Sequence, residues 1–331
     1  MTDLEKTDSI DSPDFEFPAE PGTVGERLVN LGVSRRGFLK FCTALTSTMA
    51  LEASMAPKLA YALTTSRPCI IYMSFQECTG CLESLVNSYG TTIENLILTS
   101  FSLDYQETLQ AAAGTAAEAA RNEAMTKNAG KYILVVDGSI PANAKSGYFV
   151  SAGESGVDRL NKAAANAAFV VAVGSCAAFG GLPGASPNPT GAVPVSSIIK
   201  NKTVVNVSGC PPIAEVITGV LAYYLTNNAL PALDANKRPT MYYGKTVHSS
   251  CYREENERAG HVANFGDAAA RAGGCLRPLG CKGPRTHAAC ATMRWNQGLS
   301  FPIQSGHGCI GCTEPGFWDF GGLYTKTSGG D

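Results

Sequence analysis

The stretch Phe75-Gln76-Glu77-Cys78-Thr79-Gly80-Cys81-Leu82-Glu83-Ser84 constrains this chain more than any other. It follows the apolar run Ile70-Ile71-Tyr72-Met73 and leads into a helix-like segment, so two thiols stand on a strand-to-helix turn. Thiols spaced in this way bind one metal centre or form a redox disulfide. Alone, C-x-x-C is a weak signal, and two later cysteines give it weight. Residues 168–175 are an apolar run that leads to Cys176, and residues 204–209 are another that leads to Cys210. As neighbouring parallel strands, these runs would deliver all four thiols to one sheet edge. That edge, outside the carboxyl ends of the strands, is where open α/β sheets bind ligands. Four convergent thiolates hold an iron–sulfur cluster or zinc.

Alternation along the chain fits such a sheet. Strands are predicted at 69–75, 96–103, 131–137, 168–173 and 203–207, with helices at 82–89, 105–128, 156–166, 193–200 and 213–227. Strands alternating with helices imply an α/β fold whose parallel sheet is covered on both faces. The near-continuous apolar character of 132–136 and 170–173 fits strands buried on both sides. Gly- and Pro-rich turns follow Cys176 and Cys210 and let backbone approach a bulky centre. Neither a dinucleotide nor a Walker fingerprint follows the first strand.

Twelve cysteines in 331 residues are too many for an ordinary cytosolic enzyme and too clustered for a small disulfide scaffold. A formal net charge of −2 argues against nucleic acid or an anionic membrane as the main partner. Residues 1–62 stand apart. The first 33 are polar, acidic and proline-containing, and are expected to be disordered. Ser34-Arg35-Arg36-Gly37-Phe38-Leu39-Lys40 then resembles a twin-arginine export signal, with Ala60-Tyr61-Ala62 as a small-x-small cleavage site. Export of an already folded chain would allow its cysteines to be metallated beforehand, and Cys42 would be lost with the signal.

From Met241 onward the texture changes to aromatics, glycine and cysteine without strand–helix alternation, as in folds that metal centres organise. His248-x-x-Cys251, Cys275 and Cys281 make a four-ligand set with one imidazole; Cys290 with Cys309-Ile310-Gly311-Cys312 makes a three-ligand set. Zinc could fill the two four-ligand sets, but a Cys₃ zinc site would need another ligand. His261, His287 and His307 read as ordinary hydrogen-bonded or surface residues, and Cys69 as a small buried hydrophobe.

The motifs together resemble the small subunit of a twin-arginine-exported nickel–iron hydrogenase. They are Glu77-Cys78-Thr79-Gly80-Cys81-x-Glu83-Ser84, Gly174-Ser175-Cys176-Ala177, Gly209-Cys210-Pro211-Pro212, His248-x-x-Cys251, Gly280-Cys281-Lys282-Gly283-Pro284 and Cys309-Ile310-Gly311-Cys312-x-Glu314-Pro315. The resemblance implies a flavodoxin-like parallel-sheet domain at 63–235 and an irregular, cluster-organised domain at 236–331, after a leader at 1–62. It implies a proximal [4Fe-4S] cluster on Cys78, Cys81, Cys176 and Cys210. A distal [4Fe-4S] cluster would lie on His248, Cys251, Cys275 and Cys281, and a medial [3Fe-4S] cluster on Cys290, Cys309 and Cys312.

Hydrogen would be split in a separate large subunit, making this chain the electron-transfer half of a hydrogen:acceptor oxidoreductase. Its external acceptor would be a cytochrome or membrane redox subunit, and its location the periplasm. Gly80 and Gly181 stand where oxygen-tolerant relatives carry extra cysteines, and Pro302 where selenium-containing relatives carry one. The 19 residues after Cys312 hold no run of about 20 apolar residues, so no anchor helix is expected there. A stand-alone electron carrier, a quinone-oxidoreductase-like subunit and a structural zinc protein are the competing readings.

Overall fold

The computed structural model describes residues 24–30, 34–65, 67–89, 101–143 and 147–319. Five strands, β1 (Cys69–Ser74), β2 (Ser102–Tyr105), β3 (Ile133–Asp137), β4 (Phe169–Val173) and β5 (Val204–Val207), form one parallel sheet in the order β2-β1-β3-β4-β5. This is the flavodoxin-like order, whose direction of winding reverses at the β1/β3 boundary. The nine helices used below are α1 (Val24–Asn30), α2 (Arg35–Thr48), α3 (Ala56–Thr65), α4 (Gly80–Val86), α5 (Gly114–Lys127), α6 (Gly156–Ala165), α7 (Gly174–Phe179), α8 (Val195–Ile198) and α9 (Ala214–Asn227).

Period-two alternation sends successive strand residues to opposite faces. Ile71, Met73, Leu134, Val136, Val170 and Ala172 pack against Ala117 of α5 and Leu160, Ala163 and Ala164 of α6. Ile70, Tyr72, Ile133, Val135, Val171 and Val205 face the other way, onto Leu82 and Leu85 of α4 and Val216, Ile217, Val220 and Leu221 of α9. Both faces are apolar because both are covered, which is why these strands read as unbroken hydrophobic runs. Each fully buried aliphatic side chain contributes about 1.5–3 kcal/mol. Helix α6 starts where Ser155 Oγ accepts the Asp158 amide N–H at 3.2 Å, capping a free backbone donor.

Four of the five expected strands are present where expected; most of the second, expected at 96–103, lies outside the described residues, and the strand observed there is Ser102–Tyr105. The chain leaves β2 at Tyr105 without entering a helix. The Gln106 side chain accepts the amide N–H groups of Thr108 and Leu109 at 2.6 and 2.8 Å, a local turn that postpones α5 to Gly114. The helix expected at 193–200 shortens to α8.

Residues 1–33 were expected to lack structure, yet 24–30 form α1, whose Leu28 packs on a third apolar cluster. That cluster joins Phe38, Cys42, Leu45 and Met49 of the α2 region to Leu59, Ala60 and Leu63 of α3 and to Ala222 of α9. The hairpin is pinned by Tyr242, whose hydroxyl donates to the Met49 carbonyl at 2.6 Å. Beyond Asn227 only short helices occur among the described residues, around a fourth cluster with Val247, Leu276, Phe301 and Ile303. No helix among the described residues is long and apolar enough to cross a membrane.

Candidate metal centres

The four sheet-edge thiols are brought together. Cys78 lies in the turn after β1, Cys81 in the first turn of α4, Cys176 in the first turn of α7, and Cys210 just past β5. Burial pushes the Cys81 thiol well up, and the neighbouring Asp137, Cys176, Cys210 and Cys78 push it further. Burial holds Cys176 up at about 12 and raises Cys210 as well.

Two glycines shape the space between them. A Cβ on Gly174, at φ +85°, would lie 2.4 Å from Cys81 Sγ; one on Gly181, at φ +59°, would lie 2.5 Å from Cys176 Sγ. Only glycine allows the backbone to pass so close to the sulfurs in that conformation. Beneath the thiols, Asp137 ends β3. It accepts the Tyr72 hydroxyl at 3.0 Å on Oδ2 and is held up at about 7 by burial.

The second group also assembles. Burial raises Cys275, with Cys251 adding a little, and burial pushes Cys281 up to about 11, with Cys309 and Cys275 adding to it. Backbone N–H groups of Arg253, Arg277 and Gly283 point at Cys251, Cys275 and Cys281 respectively and offset part of that burial. Glu257 bridges the group's rim: Oε2 meets His248 Nε2 at 3.1 Å and Oε1 accepts from Arg277 Nη1 at 2.8 Å.

Cys290, Cys309 and Cys312 line a cavity of about 470 Å³ together with Cys210, Trp295, Phe301 and Pro302. Burial raises all three thiols, Cys290 to about 12. Among the described residues no three His, Cys, Asp or Glu side chains close on a single-ion site. The sulfurs stand around shared spaces instead. Thiols held up by burial stay protonated at neutral pH, so a metal that loads here must displace their protons.

His287 donates its backbone N–H to Glu314 Oε1 at 2.6 Å and sets its ring beside the same carboxylate, as the hydrogen-bonded role expected of it requires. Cys69, the first residue of β1, is buried in the core, again as expected. Sequence reasoning missed Asp137, Glu257 and Arg238. Arg238 Nε donates to Asp234 at 2.8 Å, and its Nη1 donates to both the Thr313 carbonyl and Glu314 at 3.0 Å. It thereby holds the Cys312 loop against the sheet domain. The only available signal was Glu314, inside the last motif, an acidic residue in need of a cation.

A flavodoxin-like sheet with thiols at its carboxyl edge, continued by two further thiol groups, defines a cysteine-rich electron-transfer protein. Residues 78–224 match the family model of the NADH ubiquinone oxidoreductase 20 kDa subunit, and 243–324 match that of the C-terminal part of the NiFe/NiFeSe hydrogenase small subunit. The uptake hydrogenase small subunit of Azotobacter vinelandii is 46% identical over 297 residues, which is 89% of this chain and 83% of that protein. The hydrogenase-1 small chain of Escherichia coli K12 is 44% identical over 89% of this chain and 80% of its own. Among solved structures, a chain of the Dm. baculatum [NiFeSe]-hydrogenase superposes with a TM-score of 0.73 at 31% identity, covering 79% of this chain and all of that one. The chain belongs to the nickel–iron hydrogenase small-subunit family, and is part of an oxidoreductase.

Proposed function

We propose that this chain conducts electrons between a nickel–iron large subunit, where hydrogen is oxidised or formed, and an external acceptor, through three iron–sulfur centres. The observation that carries the reading is that the cysteine groups stand in series. Ser175 Oγ, beside Cys176, donates to the Cys312 carbonyl, Ser208 Oγ, two residues before Cys210, donates to the Thr313 carbonyl at 2.8 Å, and Cys309 N–H donates to Cys281 Sγ at 3.2 Å. The first group therefore touches the third, and the third touches the second.

The donor set fits clusters. Cys78, Cys81, Cys176 and Cys210 would hold a proximal [4Fe-4S] cluster in the space that Gly174 and Gly181 keep clear. Cys290, Cys309 and Cys312 would hold a medial [3Fe-4S] cluster, with Pro302 in the cavity wall at the place of a fourth ligand. His248, Cys251, Cys275 and Cys281 would hold a distal [4Fe-4S] cluster. Such clusters take up and release single electrons; the residues bury them, aim amide N–H groups at the sulfurs and so tune them. His248 substitutes an imidazole for one thiolate, which makes that centre less negative and raises its potential. With Nε2 committed to Glu257, Nδ1 is the nitrogen left for iron. Replacing Glu257 by Gln is expected to weaken that orientation and lower iron retention in the second group about 10-fold, measured by iron content after chelator challenge.

The matched family ranges leave a gap between residues 224 and 243, which supports a division into two domains at 235/236. The Arg35-Arg36 pair and the relatives' uptake role support twin-arginine export to the periplasm, and Gly80 and Gly181 support an ordinary proximal cubane. The purified heterodimer should contain about 11 iron atoms in this chain and, oxidised, show a three-iron paramagnetic resonance signal. Zinc in place of iron would end this reading. Iron without a copurifying nickel protein would favour a stand-alone carrier.

A further inference from the structure

Two serine hydroxyls tie the first cysteine group to the third. Ser175 stands between Gly174 and Cys176, and Ser208 lies two residues before Cys210; both are buried. Ser175 Oγ donates to the Cys312 carbonyl and accepts the Gly209 N–H at 3.0 Å, while the Ser175 N–H donates to the Gly209 carbonyl at 2.8 Å. One hydroxyl thus joins the Cys176 turn, the Cys210 turn and the Cys312 loop. Ser208 Oγ adds a second tie, donating to the Thr313 carbonyl at 2.8 Å. Alanine would begin α7 as well as serine does, so neither tie is needed for the helix. What the hydroxyls supply is a fixed separation between two groups of thiols.

We propose that Ser175 is a positioning residue, with Ser208 as its partner, that sets the spacing and orientation of Cys312 relative to Cys176 and Cys210 and thereby governs one-electron exchange across that seam. This rests on the three-centre reading above. In the exchange, the centre on the first group loses one electron and the centre on the third gains it; no bond to the protein forms or breaks. Without the Ser175 hydroxyl, the Cys312 carbonyl and Gly209 N–H lose a partner in a buried place, and the loop must move to satisfy them.

The test compares wild type, Ser175→Ala, Ser175→Thr and Ser208→Ala combined with Arg238→Lys as complete heterodimers, by iron content, paramagnetic resonance and amide exchange over residues 309–314. Ser175→Ala should keep its iron, exchange those amides about 10-fold faster and change the magnetic splitting that the reduced, paramagnetic third centre imposes on the signal of the reduced first centre. Ser175→Thr, which keeps the hydroxyl, should return both readouts towards wild type. Full iron with wild-type splitting and exchange in Ser175→Ala would overturn the proposal. Should that variant fail to assemble, unchanged readouts in Ser208→Ala combined with Arg238→Lys, which withdraws both side-chain donors from the Thr313 carbonyl, would overturn it equally. A wild type without a three-iron signal removes the three-centre reading instead, and amide exchange then still decides whether the seam depends on these hydroxyls.

Discussion

Replacing Cys78 by Ala should strip the first centre while leaving the polypeptide folded. Cys78 is exposed in the turn after β1, so alanine there removes a ligand without opening a cavity in the core. The expected result is a loss of about four iron atoms and a fall in hydrogen-dependent dye reduction of more than about 100-fold, beyond the range for losing a mere supporting partner. Association with the large subunit should fail with it, because the sheet edge is then left without the centre that orders its turns. Cys69→Ala is the counterpart. Cys69 is packed within the sheet core, so its loss should cost on the order of 1 kcal/mol of stability with iron and activity retained. An active, fully loaded Cys78→Ala heterodimer would refute the assignment of that thiol.

The second large effect is expected at Gly174. An alanine there meets two penalties: a φ of +85° that L residues avoid, and a Cβ 2.4 Å from Cys81 Sγ. The first costs about 1–2 kcal/mol and the second about 1–3 kcal/mol. Gly153 separates the two, since its φ is +80° but nothing lies within 4 Å of an added Cβ. Gly153→Ala should therefore cost only the backbone part and leave iron content unchanged. Gly174→Ala should lower Tm by about 5–15 °C and reduce loading of the first centre. Equal Tm values for the two variants would show that crowding against Cys81 has no consequence.

Much of this was legible from residue order. The runs at 69–74, 133–137 and 169–173 announce doubly buried strands because both faces of each are covered, and a cysteine within a few residues past a strand's carboxyl end stands at the binding edge. Spacing alone also grouped His248 with Cys251, Cys275 and Cys281. The polar partners were not legible, because long-range contacts leave no periodic trace. Arg238 meets Glu314 across 76 positions, and Ser175 meets Cys312 across 137. The misplaced start of α5 has a different cause, since the Gln106 side chain competes locally for backbone amides that a helix would otherwise use. Residues 24–30 read as polar leader, and only the tertiary contact of Leu28 reveals a helix there.

The docking of the α2–α3 hairpin on α9 bears on the order in which maturation can happen. The proposed cut after Ala62 falls inside a helix whose Ala60 and Ala62 are buried, whereas peptidases bind an extended strand of their substrate. Unwinding would have to precede any scission there. Were the segment to leave, the Tyr242 hydroxyl would lose the Met49 carbonyl and the outer side of α9 around Ala222 would be laid bare to water. A processed molecule would begin its working life with a fresh greasy scar along that helix, and would need something else to lie against it.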